Sequence, residues 1–591
     1  MPLRFYVELQ MTSSDFRFSP RANRANEIHW MNWDEAAFAR AAAEDKPILL
    51  SISAVWCHWC HVMDETTYSD PGVISTINER FVPIRVDNDR RPDINARYNM
   101  GGWPTTAFLT PEGRTLTGAT YLPPPQMRRA LTEIARFFVE RKHEISVLPD
   151  VTHNAQGALS EPLDDAPIVR LREDLEGSYD TEFGGFGSEP KFPQTEALEF
   201  LFSEWRATGD EHLYDMVAGT MRGMSQGGTY DHIEGGFFRY STTRDWSVPH
   251  FEKMAEDHAG LLRILAMLVF YRPDDAFRAT LRTATDYVRT VLYDPQRRIF
   301  AGSQDADEAY FELPLEERRK RETPFVDRTS YTNWTCGLAG ALCWVAQTLD
   351  DAALLDEAQA TLDTVYERLD SDGVLFHVLG QDDRVSVAGL LTDHAAYLRA
   401  LLDAYELGGE ARFLERAIAV AATLRNRFQS PDGGFYDRLE ESNALGRLAL
   451  RDRPITDNGI VAEALLRLHA LTGDSTYRET AQRTLAVYAQ RAGSAGSFGA
   501  AYARALLRYL SPEVVVRIAG HPAQTAELRA AALRLPSPFV AVRTLTDAEA
   551  SSEGIRETPV ALVCRGTVCA APVRSASDLD AAYDALAASV L

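Results

Sequence analysis

Cys57-His58-Trp59-Cys60 places two thiols three residues apart, between an apolar run and a predicted helix. The apolar run at residues 47–55 predicts a buried strand. Residues 61–68 predict a helix whose positive N-terminal end faces Cys57. Because a thiolate is stabilised at such a position, the spacing predicts a thiol–disulfide redox centre.

Three other interpretations of this stretch exist. The order Cys57-x-x-Cys60-His61 matches the signature for covalent haem attachment, but that attachment normally follows export. Residues 1–19 are charged and lack the apolar core of a signal peptide. The two cysteines and their neighbouring histidines suit zinc, yet no second such pair lies nearby in the sequence to complete a tetrahedral site. Two packed cysteines without chemistry are the third alternative, and we favour the redox centre.

Length, cysteine content and charge limit the possible functions. A chain of 591 residues should contain about two to four domains. Its six cysteines are too sparse for a secreted disulfide framework, which predicts a cytoplasmic location. The net charge of -24 disfavours nucleic acid and anionic membranes, and no apolar run approaches the ~20 residues that span a bilayer. We expect a disulfide-bearing protein, a small thiol or a sugar-like small molecule as partner, and no cofactor or metal.

An α/β domain is predicted at residues 31–146, after an N-terminal arm at residues 1–30. The predicted elements are a helix at 33–44, the strand before Cys57, a strand at 81–86, a strand after Pro104, a return strand at 115–119 and a helix at 125–142. This order resembles the thioredoxin fold. Residues 147–167 lose periodicity and predict a linker.

Residues 168–512 form a series of amphipathic helices broken by turns that end in phenylalanine. The phenylalanines of these turns are Phe186, Phe237, Phe300, Phe376, Phe435 and Phe498, at intervals of about sixty residues. Such a period fits two helices plus loops, and six helical hairpins can close into a toroid. The sequence therefore predicts an all-α (α/α)6 barrel.

A second recurrence marks the starts of three predicted helices. Its members are Glu256-Asp257-His258, Thr392-Asp393-His394 and Thr456-Asp457-Asn458. Because aspartate is strongly preferred as the N-cap, we expect capping to be the most common role of these aspartates. The caps would gather at one end of the barrel.

Residues 513–591 return to α/β alternation and predict a small C-terminal α/β domain. Cys564 and Cys569 flank a predicted turn in this domain. We favour two packed hydrophobic side chains, because the spacing offers no helix N-terminus to stabilise a thiolate. A relay dithiol is the alternative.

A series of short motifs follows in order along the chain. They are Cys57-His58-Trp59-Cys60-His61-Val62-Met63, Gly101-Gly102-Trp103-Pro104-Thr105, Gly184-Gly185-Phe186-Gly187, Pro190-Lys191-Phe192-Pro193, Tyr230-Asp231-His232, Gly235-Gly236-Phe237-Phe238-Arg239-Tyr240-Ser241, Val248-Pro249-His250-Phe251-Glu252-Lys253-Met254 and Gln304-Asp305-Ala306-Asp307. Over nearly its whole length the chain resembles the spermatogenesis-associated protein 20-like family. The resemblance implies a thioredoxin-like domain followed by a barrel similar to those of N-acylglucosamine 2-epimerases and six-hairpin glycosidases, with a poorly defined activity.

Two departures qualify the resemblance. Residues 313–321 form a charged insertion where the family usually has a Gly/Glu-rich stretch. Ser51 stands where ordinary thioredoxins carry a buried aspartate, which serves as proton acceptor for the second thiol.

The first functional hypothesis is dithiol exchange. Cys57 attacks a disulfide, Cys60 resolves the mixed disulfide, and Pro104, cis by the resemblance, aligns the substrate backbone. His58 and His61 could replace the missing acid, since an imidazolium stabilises a nearby thiolate. An exposed histidine without a role is the alternative for His61.

The second hypothesis is sugar chemistry in the barrel, by an epimerase, an isomerase or a glycosidase-like enzyme, which needs acids, bases and aromatic surfaces. The catalytic candidates are His250, Glu252, Asp257, Asp305 and Asp307. The substrate-binding candidates are Lys191, Asp231, His232, Arg239, Tyr240 and Trp246, with Lys253 and His258 in the same motifs. The hypothesis requires His250, Glu252, Asp305 and Asp307 to converge on one cavity. A redox-sensing binding protein without turnover is a third possibility.

Overall fold

The computed structural model describes residues 17–141 and 162–589, with side chains described up to residue 586. It divides into two compact units, Met1–Thr152 with Glu440–Arg451, and His153–Leu439 with Asp452–Leu591. Residues 1–16 of the predicted arm and residues 147–161 of the predicted linker lie outside the described residues.

Unit 1 contains one four-stranded sheet between helices. Its elements are α1 (Glu35–Glu44), β1 (Ile48–Ser53), α2 (His58–Glu65), α3 (Pro71–Arg80), β2 (Val82–Asp87), α4 (Pro92–Tyr98), β3 (Thr105–Leu109), β4 (Thr115–Ala119) and α5 (Pro124–Arg141). The strand order is β2-β1-β3-β4, with β1 parallel to β2 and antiparallel to β3. The thioredoxin-like fold predicted from the sequence is confirmed.

Alternate residues of β1 enter two apolar cores, because successive side chains of a strand point to opposite faces. Leu50 packs with Phe38 of α1 on one face, whereas Leu49 packs with Ile77 of α3 and Met127 of α5 on the other. All six residues of β1 and of β2 are buried. A strand buried on both faces reads as a continuous apolar run, which is why 47–55 was recognisable in the sequence.

Residues 440–451 belong to unit 1, although the sequence assigned them to the barrel. Leu448 is buried in the same core as Trp33. The Arg447 backbone N–H donates to Tyr98 Oη at 2.8 Å, and that hydroxyl donates to the Gly113 carbonyl at 2.7 Å. Gly446 has a φ of 55°, and an added Cβ would lie 2.5 Å from Tyr98 Oη. The contacts of residues 446–448 are with residues more than 300 positions away in the sequence. No local sequence pattern can therefore predict them.

Twelve of the described helices of unit 2 form six pairs. The inner helices are α7 (Thr195–Thr208), α9 (Ala255–Tyr271), α13 (Thr332–Leu349), α15 (Leu391–Gly408), α17 (Ile455–Thr472) and α19 (Ala500–Leu510). Their outer partners are α8 (Glu211–Gln226), α10 (Asp275–Tyr287), α14 (Ala352–Arg368), α16 (Ala411–Thr423), α18 (Ser475–Ala486) and α6 (Ala166–Ser178). Each inner helix contacts the next, and α19 contacts α7, which closes the ring. The predicted (α/α)6 barrel is therefore confirmed.

Short helices and strands connect the pairs. They are α11 (Glu308–Phe311), α12 (Leu315–Arg318), β5 (Tyr240–Ser241), β6 (Pro249–His250), β7 (Lys253–Met254), β8 (Tyr293–Asp294), β9 (Ile299–Phe300), β10 (Ser303–Gln304), β11 (Val326–Asp327), β12 (Ser330–Tyr331), β13 (Asp370–Ser371), β14 (Val374–Leu379) and β15 (Val385–Ala388). Most lie before the N-termini of the inner helices, so this end of the barrel carries the long connections.

The recurring turns are small hairpins that follow the outer helices. In three of them an aspartate, Asp180, Asp231 or Asp294, accepts backbone N–H groups two and three residues later. The turns then bury Phe186, Phe237, Phe300 and Phe435. Two of the six predicted phenylalanines do not fit. Leu375, not Phe376, takes the buried position opposite Asp370, and Phe498 is 75% exposed.

Three inner helices hold these turns by a side chain in their first turn. His258 Nε2 accepts the Phe237 N–H at 2.9 Å, His394 Nε2 accepts the Leu375 N–H at 3.2 Å, and Asn458 Oδ1 accepts the Phe435 N–H at 2.7 Å. The expected capping by the preceding aspartates is wrong, because the N-caps are Met254, Leu390 and Pro454. Asp257, Asp393 and Asp457 are instead the third residues of their helices.

The C-terminal region of unit 2 is a second α/β module. Its elements are β16 (Val514–Ala519), α20 (Pro522–Arg534), β17 (Val540–Leu545), α21 (Asp547–Ser552), β18 (Val560–Arg565), β19 (Val568–Cys569) and α22 (Leu579–Ser589). Its strand order, β17-β16-β18-β19, and its strand directions repeat those of the sheet in unit 1. Among the described helices of the chain, none has the length and apolar character needed to cross a membrane.

Candidate functional site

Cys57 lies at the N-cap of α2 and is joined to Cys60 by a disulfide, with the two Cα atoms 5.2 Å apart. The Cys60 backbone N–H donates to Cys57 Sγ at 3.2 Å. When the bond is reduced, the same N–H group and the positive end of the helix favour a thiolate on Cys57. The predicted position of the dithiol on a helix N-terminus is thus present.

Aromatic side chains and a cis proline surround the dithiol segment. Trp59 is 47% exposed, and its ring centroid lies 5.3 Å from that of Tyr121. The Trp103–Pro104 peptide is cis, as the resemblance implied. Thr105 pairs with Ile52 of β1, so the register places Pro104 at the end of β1 that leads to Cys57. The exposed indole thus forms an apolar contact surface beside the dithiol.

His61 does not provide the imidazolium expected from the sequence. Its ring is buried rather than exposed, and burial lowers the pKa of His61 to about 4, against a smaller opposing effect of Asp64. The ring is therefore neutral near neutral pH. His58 is half-buried and its ring lies edge-on to Trp59. The N-terminal end of α2 favours a thiolate on Cys57, whereas the neutral His61 ring does not.

A buried ion pair lies in the region where ordinary thioredoxins have a buried acid. Arg85 pairs in register with Ser51 and donates from Nη1 and Nη2 to the two carboxylate oxygens of Asp64, at 2.8 and 3.1 Å. Both side chains are almost fully buried. Both carboxylate oxygens of Asp64 are therefore occupied by the Arg85 guanidinium.

In unit 2, one group of polar side chains gathers before and at the start of α9. His250 Nδ1 lies 3.2 Å from both carboxylate oxygens of Glu252. Burial lowers the pKa of His250, but the Glu252 carboxylate outweighs this effect, so the pKa lies above its ordinary value. Tyr240 stacks on His250 with ring centroids 4.7 Å apart, and Phe192 stacks on Tyr240 at 4.6 Å.

Asp257 joins this group from the first turn of α9. Burial raises the pKa of Asp257 to about 7, Arg239 opposes the shift, and Glu256 and Glu252 add to it. Its Oδ2 atom is buried without a hydrogen-bond partner among the described residues. A carboxyl group of this kind changes its protonation state near neutral pH, as a general acid or base requires.

A second group lies at the starts of α13, α15 and α17. Asp393 is fully buried, and its Oδ1 accepts the Asn333 N–H at 3.1 Å and lies 2.8 Å from His377 Nδ1. Burial raises the pKa of Asp457 to about 7, reinforced by Asp437, Asp393 and Glu196. These helices begin at the same end of the barrel as α9, so carboxylates line that end of the ring.

Several predicted binding residues are instead engaged inside the protein. Lys191 is fully buried and donates to Asp180 at 2.6 Å and to the Gly184 carbonyl at 2.7 Å. Asp231 accepts from Lys253 and from Arg318, each at 2.8 Å. These buried groups have no surface left to offer a ligand. Arg318 comes from the charged insertion, which therefore supplies a buried partner rather than a solvated loop.

Two aromatic or imidazole candidates are also engaged in packing. Trp246 is fully buried, and its Nε1 donates to the Phe183 carbonyl at 3.1 Å. His258 is fully buried as the tether of Phe237, and burial lowers its pKa to about 4. Neither side chain is presented to a ligand.

The four residues required to converge do so only in part. His250 and Glu252 are in contact, and Asp305 follows Gln304, which pairs with Lys253, so its backbone lies beside Glu252. Asp307 is an exposed N-cap of α11 and accepts the Tyr310 N–H at 3.0 Å. His232 is exposed, with Nε2 3.0 Å from the Gly227 carbonyl. In the structure Asp307 and His232 thus contact backbone groups of their own segments.

Comparison with known proteins gives relatives for the N-terminal domain and for most of the chain. Residues 9–154 match the family named Thioredox_DsbH, described as a protein of unknown function, DUF255. Spermatogenesis-associated protein 20 of Homo sapiens is 27% identical over 79% of this chain and 76% of its own. The chain is thus similar to spermatogenesis-associated protein 20 over most of both sequences. An uncharacterized protein of Caenorhabditis elegans is 24% identical over 95% of each chain. The resemblance expected from the motifs is thereby confirmed.

Among solved structures, a cellobiose 2-epimerase from Spirochaeta thermophila aligns with a TM-score of 0.47 and 15% identity, over 57% of this chain and 92% of its own.

The sequence motifs did not reveal the second group of polar side chains, which lies at the starts of α13, α15 and α17. Asp393 and Asp457 were visible in the sequence only as expected helix caps. The sequence feature that could have identified them is the residue after each, His394 or Asn458. Its side chain accepts a backbone N–H group of the preceding turn. His377 and Asn333 lie in no recurring motif, and only the folded chain brings them to Asp393.

Asp457 gives a pH-dependent prediction. Its pKa is about 7 in the folded chain, against about 3.9 for an unfolded aspartate. The folded state therefore holds an extra proton between these values, and the stability from it is lost as pH rises towards 7. We compare the free energy of unfolding of Asp457→Asn with that of the wild type at two pH values. The difference should shift in favour of the variant by about 1–3 kcal/mol from about pH 5 to about pH 8, a range that allows for the partial exposure of Asp457. Urea unfolding at both pH values measures this difference.

The exposed Asp432→Asn variant is the matched control and should show no pH-dependent difference from the wild type. A pH-independent stability difference for Asp457→Asn would contradict the raised pKa.

Proposed function

We propose that the chain is a thiol–disulfide oxidoreductase that acts through Cys57 and Cys60. The observation that carries the proposal is the place of Cys57 at the N-cap of α2, with its sulfur bonded by the Cys60 N–H. This is the position at which proteins make a cysteine a nucleophile near neutral pH. The exposed Trp59 beside the pair supports access by a disulfide of another molecule.

The proposed reaction has two exchange steps. The Cys57 thiolate attacks one sulfur of a substrate disulfide, the substrate S–S bond breaks, and the departing thiolate takes up a proton. Cys60 then loses its proton and attacks Cys57 Sγ, which releases the second substrate thiol. The substrate gains two electrons, and the protein is left with the Cys57–Cys60 disulfide that the structure contains.

Trapping the mixed disulfide tests this proposal. Cys60→Ser lacks the resolving thiol, so it should accumulate a covalent adduct with a disulfide substrate such as insulin, visible by mass spectrometry and released by dithiothreitol. The double variant Cys57→Ser/Cys60→Ser should form no adduct at these positions. If Cys60→Ser remains unmodified while the wild type reduces insulin, the proposed order of attack is wrong.

A second activity is proposed for the barrel, namely acid–base chemistry on a sugar-like molecule. Asp257 and Asp457 support it, because their pKa values of about 7 suit a group that both donates and accepts a proton. The stack of Phe192, Tyr240 and His250 supports it as well, since Phe192 is 44% exposed and offers an aromatic face to a sugar ring.

A thermal-shift screen with a panel of monosaccharides and disaccharides tests the barrel proposal. At least one sugar should raise the melting temperature of the wild type, and Phe192→Ala should weaken the shift because it removes the exposed aromatic face. Phe498→Ala is the matched control, since Phe498 is also exposed but lies in a different segment, and it should leave the shift unchanged. Absence of any shift across the panel, or equal shifts in all three proteins, would contradict the proposal.

A further inference from the structure

The hairpin of β18 and β19 carries a second cysteine pair. Cys564 and Cys569 face each other in the strand register and are joined by a disulfide, with the Cα atoms 4.0 Å apart. This corrects the expectation of two packed, unlinked thiols. Cys564 is buried, whereas Cys569 is exposed, so one sulfur of the pair belongs to a residue at the surface.

This disulfide contributes little that the hairpin does not already have. It closes a loop of only six residues, and the stabilisation from restraining an unfolded chain falls with loop length. Backbone hydrogen bonds hold the same strands, with the Ala570 N–H donating to Val563 at 2.8 Å and the Val573 N–H to Ala561 at 2.9 Å. Apolar residues of the module, among them Val516, Val542 and Val563, are buried in one core with those of the barrel helices. Breaking the S–S bond would therefore leave the register intact.

The module that carries this pair has the strand order and directions of the sheet in unit 1. In unit 1 the dithiol lies at the start of the helix after the first strand. At the corresponding place the C-terminal module has His521 and Pro522, and none of its described side chains there is a thiol. Its two cysteines lie instead at the opposite end of the module's sequence, on the last hairpin, where one of them is exposed.

We propose that Cys564 and Cys569 form a second redox-active disulfide, which accepts two electrons from a small-molecule thiol. A thiolate of that molecule attacks the sulfur of the exposed Cys569, the Cys564–Cys569 bond breaks, and Cys564 leaves as a thiolate that takes up a proton. The thiolate of a second molecule of the same thiol attacks the first molecule's sulfur in the mixed disulfide, which releases Cys569 as a thiolate that takes up a proton. The small molecule leaves as its disulfide, and the chain holds a dithiol.

This site does not depend on the chemistry proposed for Cys57 and Cys60, which lie in the other unit. The test therefore uses the full-length Cys57→Ser/Cys60→Ser variant, in which the first pair cannot react. The protein is equilibrated in buffers that run from oxidised to reduced glutathione, quenched with acid and alkylated. Mass spectrometry of the peptides with Cys564 and Cys569 then gives the reduced fraction.

We expect the pair to pass from mostly oxidised to mostly reduced within the range of glutathione ratios, because a redox-active disulfide exchanges with small thiols whereas a structural one resists them. Cys336 and Cys343, which are buried and unlinked, are internal controls and should stay reduced throughout. If the pair stays oxidised in every buffer, it is a structural disulfide. If it stays reduced in every buffer, it consists of two packed thiols. Either result overturns the proposal.

A second variant separates loss of chemistry from loss of folding. Cys564→Ser/Cys569→Ser should melt at the temperature of the wild type, because the backbone bonds and core of the module remain. A large drop in its melting temperature would show that the disulfide is needed for the fold, which contradicts the proposed role.

Discussion

Cys57→Ser is expected to reduce the rate of insulin-disulfide reduction to the uncatalysed background, a fall of about 1,000-fold or more, as for other enzymes that lose their nucleophile. The reason is geometric. Cys57 is the sulfur at the N-cap of α2 and receives the Cys60 N–H, whereas Cys60 follows within the helix and has no such stabilisation. The rate of turbidity development with dithiothreitol as electron donor measures the effect.

The matched control for this variant is Cys564→Ser/Cys569→Ser, which removes the other disulfide of the chain. It should retain the insulin-reducing rate, since its cysteines lie outside unit 1. The assignment of the activity would be wrong if Cys57→Ser kept the rate and the C-terminal double variant lost it.

Asp231→Asn is expected to destabilise unit 2 by about 3–5 kcal/mol, the usual cost of leaving a buried charge without its partner. Asp231 neutralises two buried cations, Lys253 and Arg318. It also accepts two backbone N–H groups of its own turn, so the loss of charge affects both the ion pairs and the hairpin. Urea unfolding of the full-length chain measures the shift.

Glu234→Gln is the control for this prediction. Glu234 also contacts Arg318, but its side chain is 33% exposed, so its removal should cost less than about 1 kcal/mol. If Asp231→Asn unfolded like the wild type but lost the stabilisation by a sugar, Asp231 would be a ligand contact, as the sequence motif suggested, and not a structural partner.

The fold was largely predictable, because its signals are local. The apolar run before Cys57 forms a strand buried on both faces, and turns that end in a buried phenylalanine recur in four of the six helical hairpins. Residues 440–451 escaped prediction because Leu448 and Arg447 have their partners in α1 and α4, more than 300 residues away. Phe498 shared the turn pattern but has no aspartate to hold a hairpin before it, and it is exposed.

The candidate site was predictable only in part, because burial decides the role of a charged motif residue. Lys191 and Asp231 lie in motifs as rich in charge as the one that holds His250, yet they are paired inside the protein. Asp393 and Asp457 had the sequence context of helix caps. Their helices have the N-cap three residues earlier than the sequence suggests, and the next side chain, His394 or Asn458, holds the preceding turn.

The central claim is that the N-terminal end of α2 makes Cys57 a reactive thiolate without help from a charged His61. The most direct measurement is the rate of iodoacetamide alkylation at Cys57 in the reduced full-length chain, followed by peptide mass spectrometry at about pH 6.5 and pH 8.5. For free cysteine the rate falls about fiftyfold between these values, following its thiolate fraction. We expect the rate at Cys57 to fall by less than about threefold, because a stabilised thiolate persists at the lower pH. A fall as large as that of free cysteine would contradict the account.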